Sequence, residues 1–583
     1  MIFGKSVSLP MAPQKTTNAS ADPFSLAKST MKILLVIIVV AGALRLAELG
    51  QIPAGINVDE AANAWNAYTL LKTGKDQHGV GWPILYTRAF GENRSTSYIY
   101  ALIPFQALGG MSIQTTRLPA ALGGLLSVLL MYFVGARLFG QSAGMIAAGM
   151  LALNPWHLQI SRLGVEASLS PLLVLASLAA LLWANLPVVD NNQRPARPLF
   201  AMLAGLVLGL SLYGYWAVRI FLPLFFIGAV AVTWRLRWQR PKTRDGTLAI
   251  GAFLLALVLT CAPLFWRHVV DPEIGKRARI QGWVWEESDS LIQKIAKVVN
   301  RYPGHFGADF LFINGDHDPA YSPLTDTALF HWYDLPFLVL GLIACVRRAR
   351  ASPPARLLLL WVILYPVADL LARHSSLHSL RSLPGLPGLI LLAALGVVHA
   401  WKWLRPHRFT IASIGYSLLG LIAVFNILFL KQFFLDRNYT VEKLYANQVD
   451  HFQACDWLRS RLSGVDAVFW SGSSAHRYIY TVVCVGYNPE QWFRDVREIV
   501  PGPLPGGVFA HEDIYLRVGK FHFMFGDSQS RAELSELLHN DRSDRVIFVV
   551  RPGELGLHRN ARPVYEALGP DGKPTLWIFD VKL

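Results

Sequence analysis

Two adjacent carboxylates, Asp59 and Glu60, follow the end of the first hydrophobic segment by about ten residues. Charge is costly close to a membrane, so an acidic pair kept there is a candidate functional site. A carboxylate so placed can take a proton from an attacking hydroxyl as a general base. In the alternative interpretation, Asp59 caps a helical stretch from Glu60 to Leu71, because Asp is a favoured N-cap residue. The residues themselves leave both interpretations open.

Arginines and histidines recur near the predicted outer ends of later hydrophobic segments. They accompany one further acidic residue, and the set is Arg117, Arg162, Glu166, Arg219, Arg277, Arg279, Arg373, His374, His378 and Arg381. The guanidinium fork matches the geometry of phosphate oxygens and neutralises their charge. A carboxylate base and several arginines at one membrane face fit transfer of a group from a lipid phosphate to a hydroxyl.

Each of these residues also has a structural interpretation. Arg162 and Glu166 are four residues apart and could form a simple helix pair. Arg117 and Arg219 could be membrane anchors that extend their charged ends to the interface. These alternatives predict no contact with a substrate.

Two further polar groups have competing interpretations. His374 and His378 are either interfacial polar residues or ligands. The segment Asp316-His317-Asp318 offers oxygen ligands to a hard cation, but a polar turn is the favoured interpretation of this spacing. The sequence shows no established metal-ligand spacing, and we predict that no metal or other cofactor is required.

Composition indicates a membrane protein. Of the 583 residues, 53% are hydrophobic and only 16% are charged, whereas soluble domains carry about 25% charged residues. The net charge of +15 comes from basic residues in short loops between apolar runs. That pattern follows the positive-inside rule and does not indicate a nucleic-acid-binding surface.

Hydropathy predicts about eleven transmembrane helices. The first is a retained signal-anchor over 31–49, and the others are 117–137, 142–157, 168–186, 199–215, 219–234, 247–266, 329–346, 356–373, 384–401 and 409–431. The apolar stretch 98–110 is shorter and is predicted to be interfacial or re-entrant. The Lys/Arg-rich loops fall on one side, which is therefore predicted to be cytoplasmic.

This topology predicts the domain organisation. Residues 1–30 form a cytoplasmic tail, and residues 31–432 form the membrane domain. Its outer face receives the first loop (50–98) and a long loop (267–328). The first loop contains an amphipathic helix, with Ala61, Trp65, Tyr68 and Leu71 at helical spacing, which is predicted to lie in the membrane interface.

Residues 433–583 are predicted to form a soluble extracytoplasmic α/β domain. A helical pattern covers Val441–Leu462. Strand patterns cover Ala467–Trp470, Tyr478–Val485, Phe521–Phe525, Arg545–Val550 and Leu576–Val581. Cys455 and Cys484 belong to this domain, where a disulfide is permitted but not required. Cys261 and Cys345 are predicted to be packing residues.

In the order of its motifs the chain resembles the GT-C fold glycosyltransferases, and among them the protein O-mannosyltransferase and aminoarabinose transferase group. The motifs that carry the resemblance are Asp59-Glu60, Arg117-Leu118-Pro119-Ala120-Ala121-Leu122, Leu153-Asn154-Pro155-Trp156-His157, Ser161-Arg162 with Glu166, Phe310-Leu311-Phe312 with Gly315-Asp316, and His378-Ser379-Leu380-Arg381 before Leu383-Pro384-Gly385. The chain departs from the group at Glu166, where many relatives have Asp.

The resemblance implies a function for the membrane domain. Enzymes of this group transfer a sugar, with inversion, from a polyprenyl monophosphate to a hydroxyl at the outer face of the bacterial inner membrane. Asp59 would be the base or would orient the acceptor, Glu60 would support Asp59, and Arg117 would steady the acidic loop. Glu166 is the third catalytic candidate. The candidate ligands of the phosphate or sugar are Arg117, Arg162, Arg279, Arg381 and His378.

Several alternatives remain at this point. The acceptor hydroxyl could belong to a protein, lipid A or a polysaccharide. A transporter of a lipid-linked group is another class of function. Transporters usually show inverted repeats and ionisable residues inside their spans. This sequence shows no inverted repeat and few such residues, which argues against a transporter. A non-catalytic scaffold in a membrane complex is the third class. Membrane lipids are expected partners in every case, and nucleic acid is not.

Overall fold

The computed structural model of the protein describes residues 28–90, 92–186, 195–238, 244–270, 283–316, 327–373, 377–404, 408–436, 447–471, 476–499, 515–524, 545–552, 562–569 and 571–582. Helices make up most of these residues up to Asp436, and a sheet flanked by helices makes up most of the remainder. The predicted fold class, a polytopic helical protein with a C-terminal α/β region, is confirmed.

The helices of the membrane part range from 4 to 27 residues in length. They are α1 (Lys28–Leu46), α2 (Val58–Thr73), α3 (Ser97–Gly109), α4 (Ile113–Phe139), α5 (Gln141–Leu153), α6 (Pro155–Ile160), α7 (Ser170–Trp183), α8 (Pro198–Ser211), α9 (Trp216–Trp238), α10 (Arg244–Val270), α11 (Leu291–Arg301), α12 (Leu335–Arg348), α13 (Pro353–Leu364), α14 (Val367–Leu370), α15 (Ser379–Ser382), α16 (Leu386–Leu404) and α17 (Arg408–Leu430). Single turns of 3-10 or π-helix join several of them, at Glu166–Leu169, Tyr302–Phe306, Asp309–Ile313, Trp332–Asp334, Leu383–Gly385 and Lys431–Asp436.

Within the described ranges, eight helical stretches are long and apolar enough to cross a membrane, and two shorter apolar helices, α5 and α8, accompany them. Each of the predicted hydrophobic segments contains one of the helices. The count of eleven crossings stays a prediction.

Small residues allow the central helices to pack closely. At the contact of α4 with α5, a Cβ added to Gly135 would lie 2.8 Å from the Cα of Gly144. Glycine is favoured at such points because membrane helices associate through close van der Waals packing. The bundle core that results contains residues of α4, α5, α7 and α16, and it forms the support on which the outer loops rest.

The first outer loop begins with α2 and continues into a hairpin of β1 (Tyr86–Ala89) and β2 (Glu92–Ser95). The prediction that α2 lies in the membrane interface is wrong. Its side chains from Glu60 to Ala67 are buried, and it packs against α3, α4 and the C-terminal domain. The helical spacing of Trp65 and Tyr68 therefore reports contact with protein, not with lipid.

The C-terminal domain contains a mixed sheet, seven-stranded in the described residues. Its strands are β3 (Ala467–Ser471), β4 (Val496–Ile499), β5 (Tyr515–Val518), β6 (Phe521–Met524), β7 (Arg545–Val550), β8 (Tyr565–Leu568) and β9 (Pro574–Lys582), and their order is β4-β5-β6-β3-β7-β9-β8. The central strand β3 is parallel to both β6 and β7. Three helices accompany the sheet: α18 (Val449–Arg459), α19 (Arg477–Val485) and α20 (Pro489–Asp495).

Most of the predicted strands are present, but the one over Tyr478–Val485 is wrong. These residues form α19, which ends at Gly486 with φ 67°. The helix is buried on nearly every side, and most of its residues are Tyr, Ile, Val and Thr, which are also favoured in strands. Short apolar runs of this kind do not distinguish a buried helix from a strand.

The C-terminal domain is joined to the first outer loop. Trp492 donates a hydrogen bond from Nε1 to the carbonyl oxygen of Gln77 at 2.8 Å, and its ring lies 5.4 Å from that of Trp65. The backbone N–H of Ile56 donates to the carbonyl oxygen of Asn447. A disulfide between Cys455 and Cys484 connects α18 to α19. The C-terminal domain therefore contacts the first outer loop both before and after the acidic pair.

Candidate active site

Glu60 lies in the first turn of α2, where several donors converge on its carboxylate. Oε1 accepts from Arg117 Nε at 2.8 Å and from the Gly164 backbone at 2.7 Å, while Oε2 accepts from Arg117 Nη2 and the Asn57 backbone. The close approach of Gly164 requires glycine, since an added Cβ would lie 2.8 Å from the carbonyl oxygen of Thr116. Glu60 has no exposed surface, and its oxygens are committed to holding the loop.

Arg117 extends the same network to the chain before α2. Its remaining guanidinium hydrogens are donated to the carbonyl oxygens of Leu49, Pro53 and Gly55, at 2.7 to 3.2 Å. The side chain is fully buried. A membrane anchor would keep its charged end in water, so the anchor interpretation of Arg117 is wrong. No surface of Arg117 is open for phosphate in this conformation.

Asp59 differs from Glu60 in both its surroundings and its access. The N-cap of α2 is Asn57, whose side chain accepts the Glu60 N–H, so the interpretation of Asp59 as the cap is wrong. Instead Asp59 Oδ1 lies 2.6 Å from Arg94 Nη1, and the Asp59 side chain keeps 13% of its surface exposed. Asp59 is therefore a charged, oriented carboxylate that a substrate can reach.

The C-terminal domain covers the Asp59–Arg94 pair. The Phe90 ring, at the tip of the β1–β2 hairpin, lies 5.3 Å from the Arg94 guanidinium and 4.2 Å from the ring of His476. Burial lowers the pKa of His476 to about 4, with a further lowering by Arg94 and an opposing effect of Asp59. Burial also raises the pKa of Tyr480, and the charge of Asp59 adds to that effect. Both residues are therefore uncharged neighbours of the carboxylate at neutral pH.

Glu166 and Arg162 do not form the helix pair considered above. Helix α6 ends at Ile160, before Arg162, and the next helical turn, a 3-10 turn, starts only at Glu166. The two residues therefore do not share a helix. Glu166 is buried, and its turn packs against α3, α4 and α15. This position places Glu166 between the acidic loop and the α15 region.

Arg162 is fully buried, and its guanidinium is directed at backbone. It donates to the carbonyl oxygens of Leu44, Ala47 and Ile52 at 2.6 to 3.2 Å. The rings of Phe433 and Phe434 lie within 5.8 Å of its charge. These contacts join the end of α1 to the end of α17, and they favour a structural role over phosphate binding.

A second polar cluster surrounds α15. Asp316 Oδ2 accepts from the backbone N–H and the hydroxyl of Ser379, at 2.7 and 2.5 Å, and lies 3.2 Å from His378 Nδ1. The backbone N–H of His378 donates to Asp369 at 2.9 Å. The start of α15 is thus held by two buried carboxylates. Of the segment 316–318 only Asp316 is described, and here it acts as an acceptor for α15.

Asp369 connects this cluster to Arg381. Its Oδ2 lies 2.8 Å from His305 Nε2, and its Oδ1 lies 3.6 Å from Arg381 Nη1. The Arg381 guanidinium also sits 5.7 Å from the ring centroid of Trp216. Asp369 and His305 are fully buried, whereas Arg381 keeps 12% of its side chain exposed. Arg381 is therefore an oriented cation with a surface that an anion can reach.

Two sets of residues complete the account of the site: three predicted residues that are not described, and one possible group of metal ligands. Arg277, Arg279 and His374 fall outside the described ranges. In the part of the chain that the structure describes, His451, Cys455 and Cys484 are grouped closely enough to hold a metal. The two cysteines are disulfide-bonded, which removes the thiolates that a metal would need.

Sequence reasoning missed several of these residues. Arg94 contacts Asp59 and Asp369 contacts Arg381. His305 contacts Asp369, and the charge of Asp59 affects His476 and Tyr480. None of these five residues was singled out. Asp369 could have been found, because it is an ionisable residue inside a predicted span, and such residues are by default functional candidates. No local pattern signals the other four.

Known proteins share part of the sequence and the fold of this chain. Over residues 96–266 the sequence matches the family described as dolichyl-phosphate-mannose-protein mannosyltransferase. The crystal structure of ArnT from Cupriavidus metallidurans in the apo state is similar with a TM-score of 0.54 and 13% identity, over 95% of this chain and 98% of that chain. A search of curated proteins finds no match.

A second ArnT structure from the same organism, bound to undecaprenyl phosphate, has a TM-score of 0.51 and 12% identity, again over 95% of this chain and 98% of that one. The fold is therefore the GT-C fold, shared along nearly the whole chain. The family match covers residues 96–266, within the part of the chain that shares this fold with ArnT. The resemblance expected from the motifs is confirmed.

Proposed function

We propose that the protein is an inverting glycosyltransferase that moves a sugar from a polyprenyl monophosphate to an acceptor hydroxyl. The observation that carries the proposal is the contrast between the two neighbouring carboxylates. Glu60 is buried and fully engaged, while Asp59 is held by Arg94 and keeps 13% of its side chain exposed. A reactive base needs both orientation and access to the hydroxyl.

The proposed reaction uses Asp59 as the base. Asp59 takes the proton of the acceptor hydroxyl while that oxygen attacks the anomeric carbon from the face opposite the phosphate. The bond between the anomeric carbon and the phosphate oxygen breaks, and the carrier monophosphate leaves with the electron pair. Positive charge stabilises that leaving group. Arg381 suits this role because it is oriented by Asp369 and Trp216 and is partly exposed.

The lipid part of the donor needs an apolar environment. A cavity of 360 Å³ between α8, α9 and α10 is lined by side chains such as Leu208, Phe226 and Val258. Its apolar lining suits an isoprenoid chain. ArnT from Cupriavidus metallidurans has been crystallised with undecaprenyl phosphate, which supports a carrier of this class for the present chain.

Two observations support an extracytoplasmic site. The C-terminal domain, which covers Asp59, carries the Cys455–Cys484 disulfide, and such bonds persist in oxidising compartments. The Lys/Arg-rich loops, including Arg347 and Arg348, fall on the opposite side in the predicted topology. We accordingly place the reaction at the outer face of a bacterial inner membrane.

The acceptor is proposed only as a hydroxyl compound. The neutral side chains of His476 and Tyr480 lie beside Asp59, and they suit a polar, uncharged acceptor group better than an ionic one. A scaffold would have no need of an accessible, arginine-paired carboxylate. Binding specificity often lies in such appended segments, and we propose that the C-terminal domain selects the acceptor.

The first experiment is mass spectrometry of lipids that copurify with the protein. The native chain and Arg381→Ala are compared, with Arg347→Ala as a matched control at the opposite membrane face. We expect a polyprenyl-phosphate sugar with the native chain and the control, and a strongly reduced amount with Arg381→Ala. Absence of such a lipid from the native chain, even after addition of carrier-rich extract, would overturn the proposal.

The metal requirement has its own test. We propose that the reaction needs no divalent ion, since Asp59 and its ion-pair partner Arg94 supply a base without one. Transfer is measured in excess chelator, and unchanged turnover is expected. Complete loss of activity that a divalent cation restores would contradict this.

A further inference from the structure

Helix α11, in the long outer loop, carries an apolar stripe with no cover from the described residues. Leu291, Ile292, Ile295 and Val299 are 73%, 80%, 54% and 58% exposed. At 100° per residue, these four positions fall within an arc of about 100°. Large apolar side chains side by side in this way mark an interaction surface.

The basic edge of α11 faces the protein, while the other polar residues of the helix, Gln293 and Asn300, are exposed. Lys297 Nζ lies 2.5 Å from Asp289 Oδ2, and Arg301 donates to the carbonyl oxygens of Ala372 and Arg373. Lys294, Lys297 and Arg301 are less exposed than the apolar stripe. A helix in water would present the reverse arrangement, because its apolar side would face the protein. The outward position of the apolar residues indicates that the medium outside this helix is apolar.

The contacts of the loop place α11 at the depth of a membrane surface. The backbone N–H of Val284 donates to the carbonyl oxygen of Leu371, just past the apolar stretch Pro353–Leu370. At the other end of α11, Arg301 donates to the carbonyl oxygen of Ala372. Both flanks of α11 are therefore attached where a candidate membrane span ends.

The residues that flank α11 agree with this depth. Tyr302 donates from its hydroxyl to the carbonyl oxygen of Ile363, within the same apolar stretch, at 2.9 Å. Before α11, the rings of Trp283 and Trp285 stack with centroids 5.2 Å apart, and Trp283 is partly exposed. Trp and Tyr are enriched at the boundary between lipid and water.

We propose that α11 lies in the outer interface of the membrane, with its apolar stripe in the lipid and its basic edge towards the protein and the head groups. The occupant of the stripe is the bilayer itself. Both flanks of α11 are hydrogen-bonded to the chain just past the end of the candidate span Pro353–Leu370, and the lysines suit anionic head groups. A second protein on the stripe is the competing possibility.

This placement has a consequence for the α15 cluster. The turn Tyr302–Phe306 follows α11 directly and brings His305 to Asp369, which in turn lies beside Arg381. An α11 seated in the membrane surface would hold His305 against Asp369. The importance of this link for catalysis depends on the proposed function, but the lipid contact does not.

The test measures lipid contact without using activity. The full-length chain carries a bimane label at Ile292→Cys or, on the opposite face, at Gln293→Cys, in nanodiscs of phosphatidylglycerol and phosphatidylethanolamine. The unmutated chain gives the background from Cys261 and Cys345. Lipids with a doxyl quencher near the head group should quench the label at position 292 several-fold more strongly than the label at 293. Aqueous iodide should do the reverse.

Two results would overturn the proposal. Iodide quenching that is equal at positions 292 and 293 would mean that the stripe faces water. Protection of position 292 from both quenchers would mean that protein covers it. The pair Val299→Cys and Asn300→Cys repeats the comparison two turns further on, in case the first pair does not fold. Since no sugar transfer is measured, the outcome is independent of the proposed reaction.

Discussion

The Nε and Nη2 atoms of Arg117 lie 2.8 and 3.1 Å from the two carboxylate oxygens of Glu60, and both side chains are fully buried. The pair joins α2 to α4 and fixes the loop in which Asp59 stands. Asp59, the preceding residue, takes no part in this pair and instead contacts Arg94. The two neighbouring carboxylates should therefore respond differently to neutralisation.

Neutralising Glu60 should reduce stability. In Glu60→Gln the buried Arg117 loses its counter-charge, and breaking such a pair costs about 3–5 kcal/mol. We expect a lower melting temperature in detergent, measured by thermal unfolding. Asp571→Asn, at an exposed ion pair with Lys573, is the control and should leave the melting temperature nearly unchanged. Equal melting temperatures for native chain and Glu60→Gln would contradict the role given to the pair.

Neutralising Asp59 should remove activity and leave the fold intact. Asp59→Asn keeps the shape of the side chain but cannot take a proton, so turnover should fall by about 10²–10⁴-fold. Transfer from a polyprenyl-phosphate sugar and the melting temperature are measured on the same preparation. Asp456→Asn, on the exposed side of α18, is the matched control. A variant that is folded and still turns over normally would exclude Asp59 as the base.

Arg94 should act through the orientation of Asp59. Arg94→Gln removes the contact at 2.6 Å, and a misplaced reactive group can cost about 100-fold in rate. Arg94→Lys keeps the positive charge but loses the planar guanidinium group, so its turnover should lie between those of the native chain and Arg94→Gln. Turnover at saturating donor separates this effect from binding. Arg461→Gln, two residues past the end of α18, is the control. Full activity in Arg94→Gln would show that α2 alone orients Asp59.

The disulfide should stabilise the C-terminal domain. Cys455 and Cys484 are 29 residues apart, and closing a loop of that size stabilises a fold by roughly 3–4 kcal/mol in the chain-entropy model. Cys455→Ser with Cys484→Ser should lower the unfolding midpoint of this domain in denaturant. The native chain with and without reductant is the control. Rapid alkylation of both cysteines in the unreduced, folded protein would contradict the bond.

Acidification should destabilise the contact between hairpin and C-terminal domain through His476. Its pKa is lowered from 6.5 to about 4 in the fold, so between these values the unfolded chain binds more protons and stability rises with pH. The slope is about 1.4 kcal/mol per pH unit for one group. His451, with a pKa of about 3, acts in the same direction, while Asp59 opposes and Arg94 reinforces the effect at His476.

The measurement is the melting temperature from pH 6.5 down to pH 4, which spans the ordinary and the lowered pKa of His476. His476→Gln cannot be protonated in this range and should show a shallower decline than the native chain. Identical curves for His476→Gln and the native chain would mean that His476 is not buried as a neutral side chain.

The sequence by itself determined the features that depend on local chemistry. A run of about 20 apolar residues can be recognised from the sequence alone as a membrane span, and the predicted hydrophobic segments coincide with helices. The same holds for strands such as Arg545–Val550, which are bounded and rich in β-branched residues. Asp59 and Glu60 stood out because two carboxylates are rare so close to a span.

Only the tertiary structure decided which residue does what. Asp59 and Glu60 are adjacent and chemically alike, and their difference arises from Arg94, Arg117 and Gly164, which lie elsewhere in the chain. The amphipathic spacing of α2 and of α11 fits either protein or lipid as the apolar partner, because periodicity records only that one face is apolar. The fold buried α2 under the C-terminal domain, whereas among the described residues the stripe of α11 has no cover.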